Sequence, residues 1–260
     1  MKTTKFIATI VMVILVTAPV TACALPSFQP TATPTPLPTD TATPVPSSTP
    51  TLVPTATFTL TPTTIPTATA NATATAQYTG MVEAVDKLFK DGYLPSADGN
   101  YAHVEDYSNQ WAQLGWYQWS KTGWKPKDFV LKAHLSWVSD TKTPNPSGCG
   151  ILFHVQPTNE HYVVFVYSIG YIEAGIMTDK LRSLGYSYFG PSRNEGEADF
   201  MLTVVGTKFD TFINGKHIKS YTGLQGKMDS GDLAYTVLSG TNAGFGTECN
   251  ITEADLWMLK

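Results

Sequence analysis

The sequence predicts an all-β, antiparallel two-sheet sandwich, preceded by one short helix and a disordered stalk. Three observations carry this reading. Residues 26–76 are nearly all Thr, Pro and Ala; a single helical period follows them; and from about residue 100 onward apolar and polar residues alternate in short runs closed by Gly, Asn and Pro. Many short strands with one apolar face bury that face by stacking two sheets. The expected organisation is a leader over 1–22, a stalk over 23–77, a helix and connector over 78–99, and the sandwich over 100–260.

At the amino end, Lys2 and Lys5 give a positive start and Phe6 to Val20 follow without a charge, the pattern of an export signal. Val20-Thr21-Ala22-Cys23 resembles a bacterial lipobox, which implies cleavage before Cys23 and a diacylglyceryl group on that residue. The alternative is a retained spanning anchor, since about 18 apolar residues can just cross a bilayer. Cysteine usage fits export. If Cys23 carries lipid, Cys149 and Cys249 are left to pair with each other, the alternative being two free buried thiols.

From Pro26 to Ala76 the chain holds eleven of its 18 prolines and one charge, Asp40. Proline removes amide donors and fixes φ, so this segment cannot build a core. It is expected to sample polyproline II and to extend up to ~150 Å, at about 3.1 Å per residue. Its threonines offer many hydroxyls for O-glycosylation. Asn71-Ala72-Thr73 and Asn250-Ile251-Thr252 match the N-glycosylation pattern and are read as chance in a bacterial lipoprotein.

Tyr78 to Asp91 is the expected helix, with Val82, Val85, Leu88 and Phe89 at helical spacing and Glu83, Asp86, Lys87 and Lys90 between them. Thr79 loosely fits a capped start and Asp91-Gly92 a stop. Its short length makes it a packing element where the stalk enters the domain.

The strands follow. Phe129, Leu131, Ala133, Leu135 and Trp137 alternate with mixed residues, and Ile151, Phe153 and Val155 repeat the pattern before a turn at Pro157 to Glu160 leads into His161 to Ser168. Asn214-Gly215, between Lys208 to Ile213 and Lys216 to Tyr221, is the strongest hairpin signal in the chain. Further strands are expected at Trp111 to Trp119, Tyr171 to Met177, Ala198 to Val205, Ala234 to Ser239 and Ile251 to Met258.

Gly148-Cys149-Gly150-Ile151-Leu152-Phe153, the hairpin containing Tyr162, and Ala198 to Val205 leading into Lys208-Phe209-Asp210-Thr211-Phe212-Ile213-Asn214-Gly215-Lys216 resemble the concanavalin A-like lectin/glucanase superfamily. More narrowly they are similar to its laminin-G-like and 3-keto-disaccharide-hydrolase-type jelly rolls, over roughly Asn100 to Lys260. The resemblance implies a jelly-roll sandwich with one curved sheet whose concave face often receives sugars. Its motifs specify fold better than function.

A glucanase of that superfamily would carry carboxylates as E-x-D-x-(x)-E on one strand, because alternate residues share a face. Glu197-Ala198-Asp199 and Glu253-Ala254-Asp255 match in part and lack the third glutamate, so no catalytic residue is assigned; solvated charge in the Arg193 to Asp199 turn or at a strand edge explains them. Period-two parity puts His154, Gln156 and His161 on one face, with His134 on another strand, but the spacing is no metal-ligand motif. No cofactor is expected. Calcium, which this superfamily can hold, lacks its D-x-D-x-D-G loop here.

Aromatics give the stronger ligand signal. Trp111, Trp116, Tyr117, Trp119 and Trp124 crowd one short stretch, and neighbours on a strand cannot both face the core. Planar rings on a sheet stack against the apolar faces of sugars, which makes Trp116, Tyr117, Trp119, Tyr167 and Tyr171 candidate ligand residues, with His154, Gln156 and His161 as hydrogen-bonding partners. Packing in core or edge is the competing explanation.

A net charge of −4 and no basic stripe exclude a phosphate-neutralising surface, so no nucleic acid is expected. Nucleophile elbows, phosphate loops and zinc-protease helices are missing, and the Gly-rich Ser239 to Thr247 precedes strand-like sequence, not a helix. The expected role is therefore extracytoplasmic recognition of a polysaccharide or surface glycan without catalysis, with membrane contact through the lipid alone. A glycan-active hydrolase and a structural or protein-binding surface domain are the alternatives.

Overall fold

A computed structural model describes residues 72–141, 145–224 and 226–260. The expected signal peptide, Cys23, the stalk as far as residue 71 and the asparagine of the first glycosylation pattern lie outside these residues.

Two antiparallel sheets form a jelly-roll sandwich. The first has the order β1 (Gly99–Val104), β13 (Thr247–Leu259), β4 (Phe129–Ser139), β9 (Glu195–Val205), β10 (Lys208–Ile213) and β11 (Lys216–Thr222), and β2 (Tyr107–Trp111) also pairs with β13. The second runs β3 (Trp116–Lys121), β12 (Asp232–Ser239), β5 (Gly148–Val155), β6 (His161–Tyr167), β7 (Tyr171–Met177) and β8 (Leu181–Tyr188).

The core lies between the sheets. Phe129, Leu131, Ala133, Leu135 and Trp137 point into it from β4, as their alternation predicts, and meet Cys149, Ile151 and Phe153 of β5 and Tyr162, Val164 and Val166 of β6. Cys149 and Cys249 are both fully buried and joined by a disulfide that ties β5 of one sheet to β13 of the other, across a sequence separation of 100. The β10–β11 hairpin turns at Asn214 (φ 50°) and Gly215 (φ 75°), two successive left-handed residues as a type I′ turn requires.

The helix, α1, spans Ala72–Lys90 and so begins ahead of Tyr78, within sequence expected to be stalk. Alternating alanines there favour helix, and Thr79 Oγ1 donates back to the Thr75 carbonyl at 2.9 Å. Its end is a Schellman motif: Gly92 (φ 82°) donates to Phe89 and Tyr93 donates to Leu88. Met81, Val85 and Leu88 form the buried stripe and pack on Val130, Phe212 and Trp257 of the first sheet's outer face, whereas Phe89, expected in that stripe, is exposed. Among the described residues no helix is long and apolar enough to cross a membrane.

Two strand expectations are corrected. Trp111 to Trp119 is not one strand: Gly115 at φ 72° turns the chain between β2 and β3, which belong to different sheets. Arg193 to Asp199 is not a turn throughout, because β9 starts at Glu195 and pairs with β4 from there. Strands β1, β2 and β8 were not legible as strands.

Candidate functional site

The second sheet is apolar on both faces. Its outer face carries Leu152 and Val155 of β5, Val163 and Phe165 of β6, and Ala234 and Leu238 of β12, overlain by Tyr117 and Trp119 of β3 and Tyr167 of β6. Gly150 makes room for this layer: a Cβ there would stand 3.0 Å from Phe165 Cδ1 and 2.8 Å from Thr236 Cγ2. Tyr117 meets Phe165 edge-on at 5.2 Å, and Phe165 stacks with Tyr167 at 5.7 Å. Across the sheet, Tyr171 of β7 pairs with Tyr188 of β8, and Glu173 with Tyr186. Tyr171 packs edge-on to both Tyr186 (5.7 Å) and Tyr188 (5.5 Å), whose residues are 66% and 62% exposed. Aromatic side chains thus run over the face from β3 to β8. At the β6–β8 end a groove of about 310 Å³ opens between Tyr167, Tyr171 and Tyr186, with Glu173, Ile169 and Pro146 completing it.

Hydrogen bonds fix these rings. His161 is buried, and its Nδ1 lies 2.6 Å from the Asn159 carbonyl, which can only accept. In the neutral ring Nδ1 therefore donates, leaving Nε2 to accept from the Tyr117 hydroxyl at 2.9 Å. Burial pushes the His161 pKa below its ordinary value, consistent with that neutral form, and pushes Tyr117 up to about 12. Tyr167 donates to Glu173 Oε2 at 2.8 Å; burial first, then the adjacent carboxylate, raises its pKa.

Tyr117, Trp119, His161, Tyr167 and Tyr171 therefore share the outer face of the second sheet. The other candidates do not join them. Trp116 is 62% exposed on β3 but has the opposite parity, and pairs with Ser239 at the sheet edge. His154 departs from the parity that groups it with His161, because it sits at φ 53° where the β5–β12 register shifts. The shift turns its ring against Phe153 and Tyr162, between the carbonyls of Met228 (2.8 Å) and Lys127 (2.9 Å), and burial lowers its pKa. Gln156 lies past the end of β5, where its amide donates to the carbonyls of His154 and Ser230. Phe165, Glu173, Tyr186 and Tyr188 lie on the same face and are not among the candidates the sequence offers; the alternation in Tyr186-Ser187-Tyr188 is the available signal.

Carboxylates collect on the first sheet. Glu195, Glu197 and Asp199 alternate along the outer face of β9, where His134 lies between Asp199 (2.9 Å) and Glu197 (3.7 Å). Glu195 and Glu197 line a cleft of about 600 Å³ with Arg193 and Phe189. A second cleft, of about 440 Å³, runs beside α1. Glu253 and Asp255 do not share a face: Glu253 forms a bulge at φ 51°, and Asp255 is buried, accepting from Tyr101 (2.8 Å) with His103 Nδ1 at 3.1 Å.

Ser220, His217 and Asp210 also meet, but not as a relay. Ser220 Oγ bonds Asp210 Oδ1, and the same oxygen faces His217 Nε2 at 3.1 Å, whereas a nucleophile and its orienting acid need opposite ring nitrogens. Among the described residues no group of three or more His, Cys, Asp or Glu side chains is placed to hold a metal ion.

No protein-family model and no curated protein matches the chain. Similar solved structures include the carbohydrate binding module CBM66 from Bacillus subtilis, 6% identical over 60% of this chain and 95% of that one, with a TM-score of 0.45. Another is the fructosyltransferase from A. japonicus, 16% identical over 62% of this chain, TM-score 0.44, of which this chain spans only 26%. Sheep galectin-11 is 11% identical over 55% of this chain and 98% of its own, with a TM-score of 0.37. These likenesses carry no argument about what this chain binds, which rests on its own residues.

Proposed function

We propose that the sandwich is a carbohydrate-recognition module that receives a glycan along the outer face of its second sheet and performs no chemistry on it. The supporting observation is the continuity of ring-bearing side chains from Tyr117 and Trp119 to Tyr171, Tyr186 and Tyr188 on one face. Sugar rings present apolar C–H faces that stack on such side chains, while hydroxyls find acceptors and donors in Glu173 and the tyrosine hydroxyls. A pre-positioned face loses little side-chain entropy on binding, and the Tyr117–His161 and Tyr167–Glu173 bonds supply that positioning.

The module works outside the cytoplasm, held to the envelope by lipid on Cys23 through the Pro/Thr-rich stalk. An inter-sheet disulfide accords with an oxidising compartment. Cys23→Ser removes membrane association if lipid is the anchor; unchanged anchoring would point to a retained spanning helix.

The binding test is a glycan array and polysaccharide pull-down with the purified protein in millimolar calcium. A positive glycan loses on the order of tenfold in affinity, about 1.4 kcal/mol, in Trp119→Ala and again in Tyr186→Ala/Tyr188→Ala. No binding to any glycan, or binding indifferent to both variants, overturns the reading.

A hydrolase reading draws on the cleft with Glu195 and Glu197. The Glu197 and Asp199 side chains are 77% and 69% exposed and share His134, so the apolar enclosure that keeps a general acid protonated is missing around them. Release of reducing sugar that stops in Glu197→Gln would establish it.

A further inference from the structure

The groove at the β6–β8 end of the aromatic face holds a carboxylate, Glu173, whereas the carboxylate of Asp232 on β12 is paired with Lys121 at 2.6 Å. Glu173 is half-buried, and among the described residues no Lys, Arg or His forms an ion pair with it. Lys219, which approaches β8, spends its ammonium on the Tyr186 carbonyl (3.1 Å) and lies over the Tyr221 ring. Among the described residues the Glu173 carboxylate has one hydrogen-bond partner, the Tyr167 hydroxyl, which donates to Oε2. The walls are Tyr167, Tyr171 and Tyr186, the last two nearly perpendicular at 75°.

A carboxylate set among aromatic faces attracts one class of group above others: a positively charged nitrogen clothed in C–H groups. The rings attract its charge through their quadrupoles, the carboxylate complements it, and the apolar walls accept its carbons. An anionic sugar meets repulsion from Glu173 at the same place. About 310 Å³ admits a methylated ammonium or one sugar ring carrying an amine.

The geometry points to a site for an organic ammonium group between Tyr167, Tyr171, Tyr186 and Glu173. Such a group arrives either on an amino-sugar residue of a glycan lying along the face, which rests on the glycan-binding reading, or on a free quaternary ammonium solute, which does not. The groove therefore selects against uronic and other acidic sugars at this end of the platform.

Calorimetric titration of the full-length protein with tetramethylammonium, with glucosamine oligomers and with N-acetylglucosamine oligomers tests the inference. Binding of tetramethylammonium or of the glucosamine oligomer supports it when Glu173→Gln weakens that binding on the order of tenfold and Tyr186→Ala does the same, while Tyr186→Phe retains it. Gln keeps an acceptor for Tyr167 and Phe keeps the ring, so loss of fold does not imitate the pattern. Binding of tetramethylammonium alone keeps the site and removes its link to a glycan; binding of the glucosamine oligomer alone assigns it to amino sugars. Failure of both cations to bind, equal affinity for the N-acetylated oligomer, or indifference to Glu173→Gln overturns it. Loss of glycan-array binding elsewhere on the face, with tetramethylammonium binding intact, defeats the platform reading and not this one.

Discussion

Replacing Cys149 and Cys249 together by alanine removes the covalent tie between the two sheets. The half-cystines are separated by 100 residues, and loop-closure entropy for a loop of that length is worth about 4.7 kcal/mol in the chain-entropy estimate. Both residues are fully buried, so the loss of two sulfur atoms from the core acts in the same direction. The double variant is expected to unfold with a free energy lower by about 5 kcal/mol or more, measured by urea titration of tryptophan fluorescence. Its m-value should rise, because the uncross-linked denatured chain expands. Reductant added to the native wild type should act only at the rate of unfolding, since neither sulfur is accessible. A loss below about 2 kcal/mol, or rapid reduction of the native protein, would refute the reasoning that this bridge restrains the unfolded chain across the core.

Tyr117→Phe keeps the ring but leaves His161 Nε2 without its donor, at an expected cost of about 1 to 3 kcal/mol in denaturant stability and a loss of glycan affinity smaller than that of Trp119→Ala; a loss as large as that of Trp119→Ala would contradict the division between positioning and stacking. His154 and His161 both have folded pKa values lowered by burial from the ordinary 6.5, so the unfolded chain takes up protons that the native one refuses. Their contribution is complete above about pH 6.5 and falls as pH drops below it, by up to about 1.4 kcal/mol per pH unit for each histidine, and thermal unfolding between pH 7.5 and 5 should show Tm falling and the fall shrinking in His161→Gln. Gly150→Val drives a side chain into Phe165, Thr236 and the Val164 carbonyl, so near-ultraviolet circular dichroism should change together with glycan binding; an unchanged spectrum would mean the ring layer is loosely held.

How much of this was legible follows from what each pattern assumes. The β4 alternation and the Asn214-Gly215 turn are local signals, and the structure bears out both. Parity failed where the pleat was interrupted: the left-handed residues His154 and Glu253 each reset the face of the residues around them, and neither is a glycine that would have announced it. Gly115 was an available signal for the break between Trp111 and Trp116, hidden by the density of aromatics on either side. The site required the second sheet's order, since Tyr117 on β3 and Tyr171 on β7 reach one face only through the intervening β12, β5 and β6. No periodicity within a single strand contains that information.

The second sheet explains why the aromatic face is more than a collection of exposed rings. A strand buried on both sides reads as a continuous apolar run, and β5 and β6 do so although only one of their faces meets the other sheet. On the opposite face their aliphatic side chains are sheltered by Tyr117, Trp119, Phe165 and Tyr167. Those rings answer two demands at once: one surface seals Leu152 and Val163 from water, and the other is left to meet a ligand. The first sheet solves the same problem differently, by laying α1 over Val130, Phe212 and Trp257. A helix cover buries the part of the sheet beneath it, whereas a monolayer of rings leaves the sheet available. That difference, set by Gly150 and by the positions of the tyrosines, is the physical reason to look for the ligand on the second sheet.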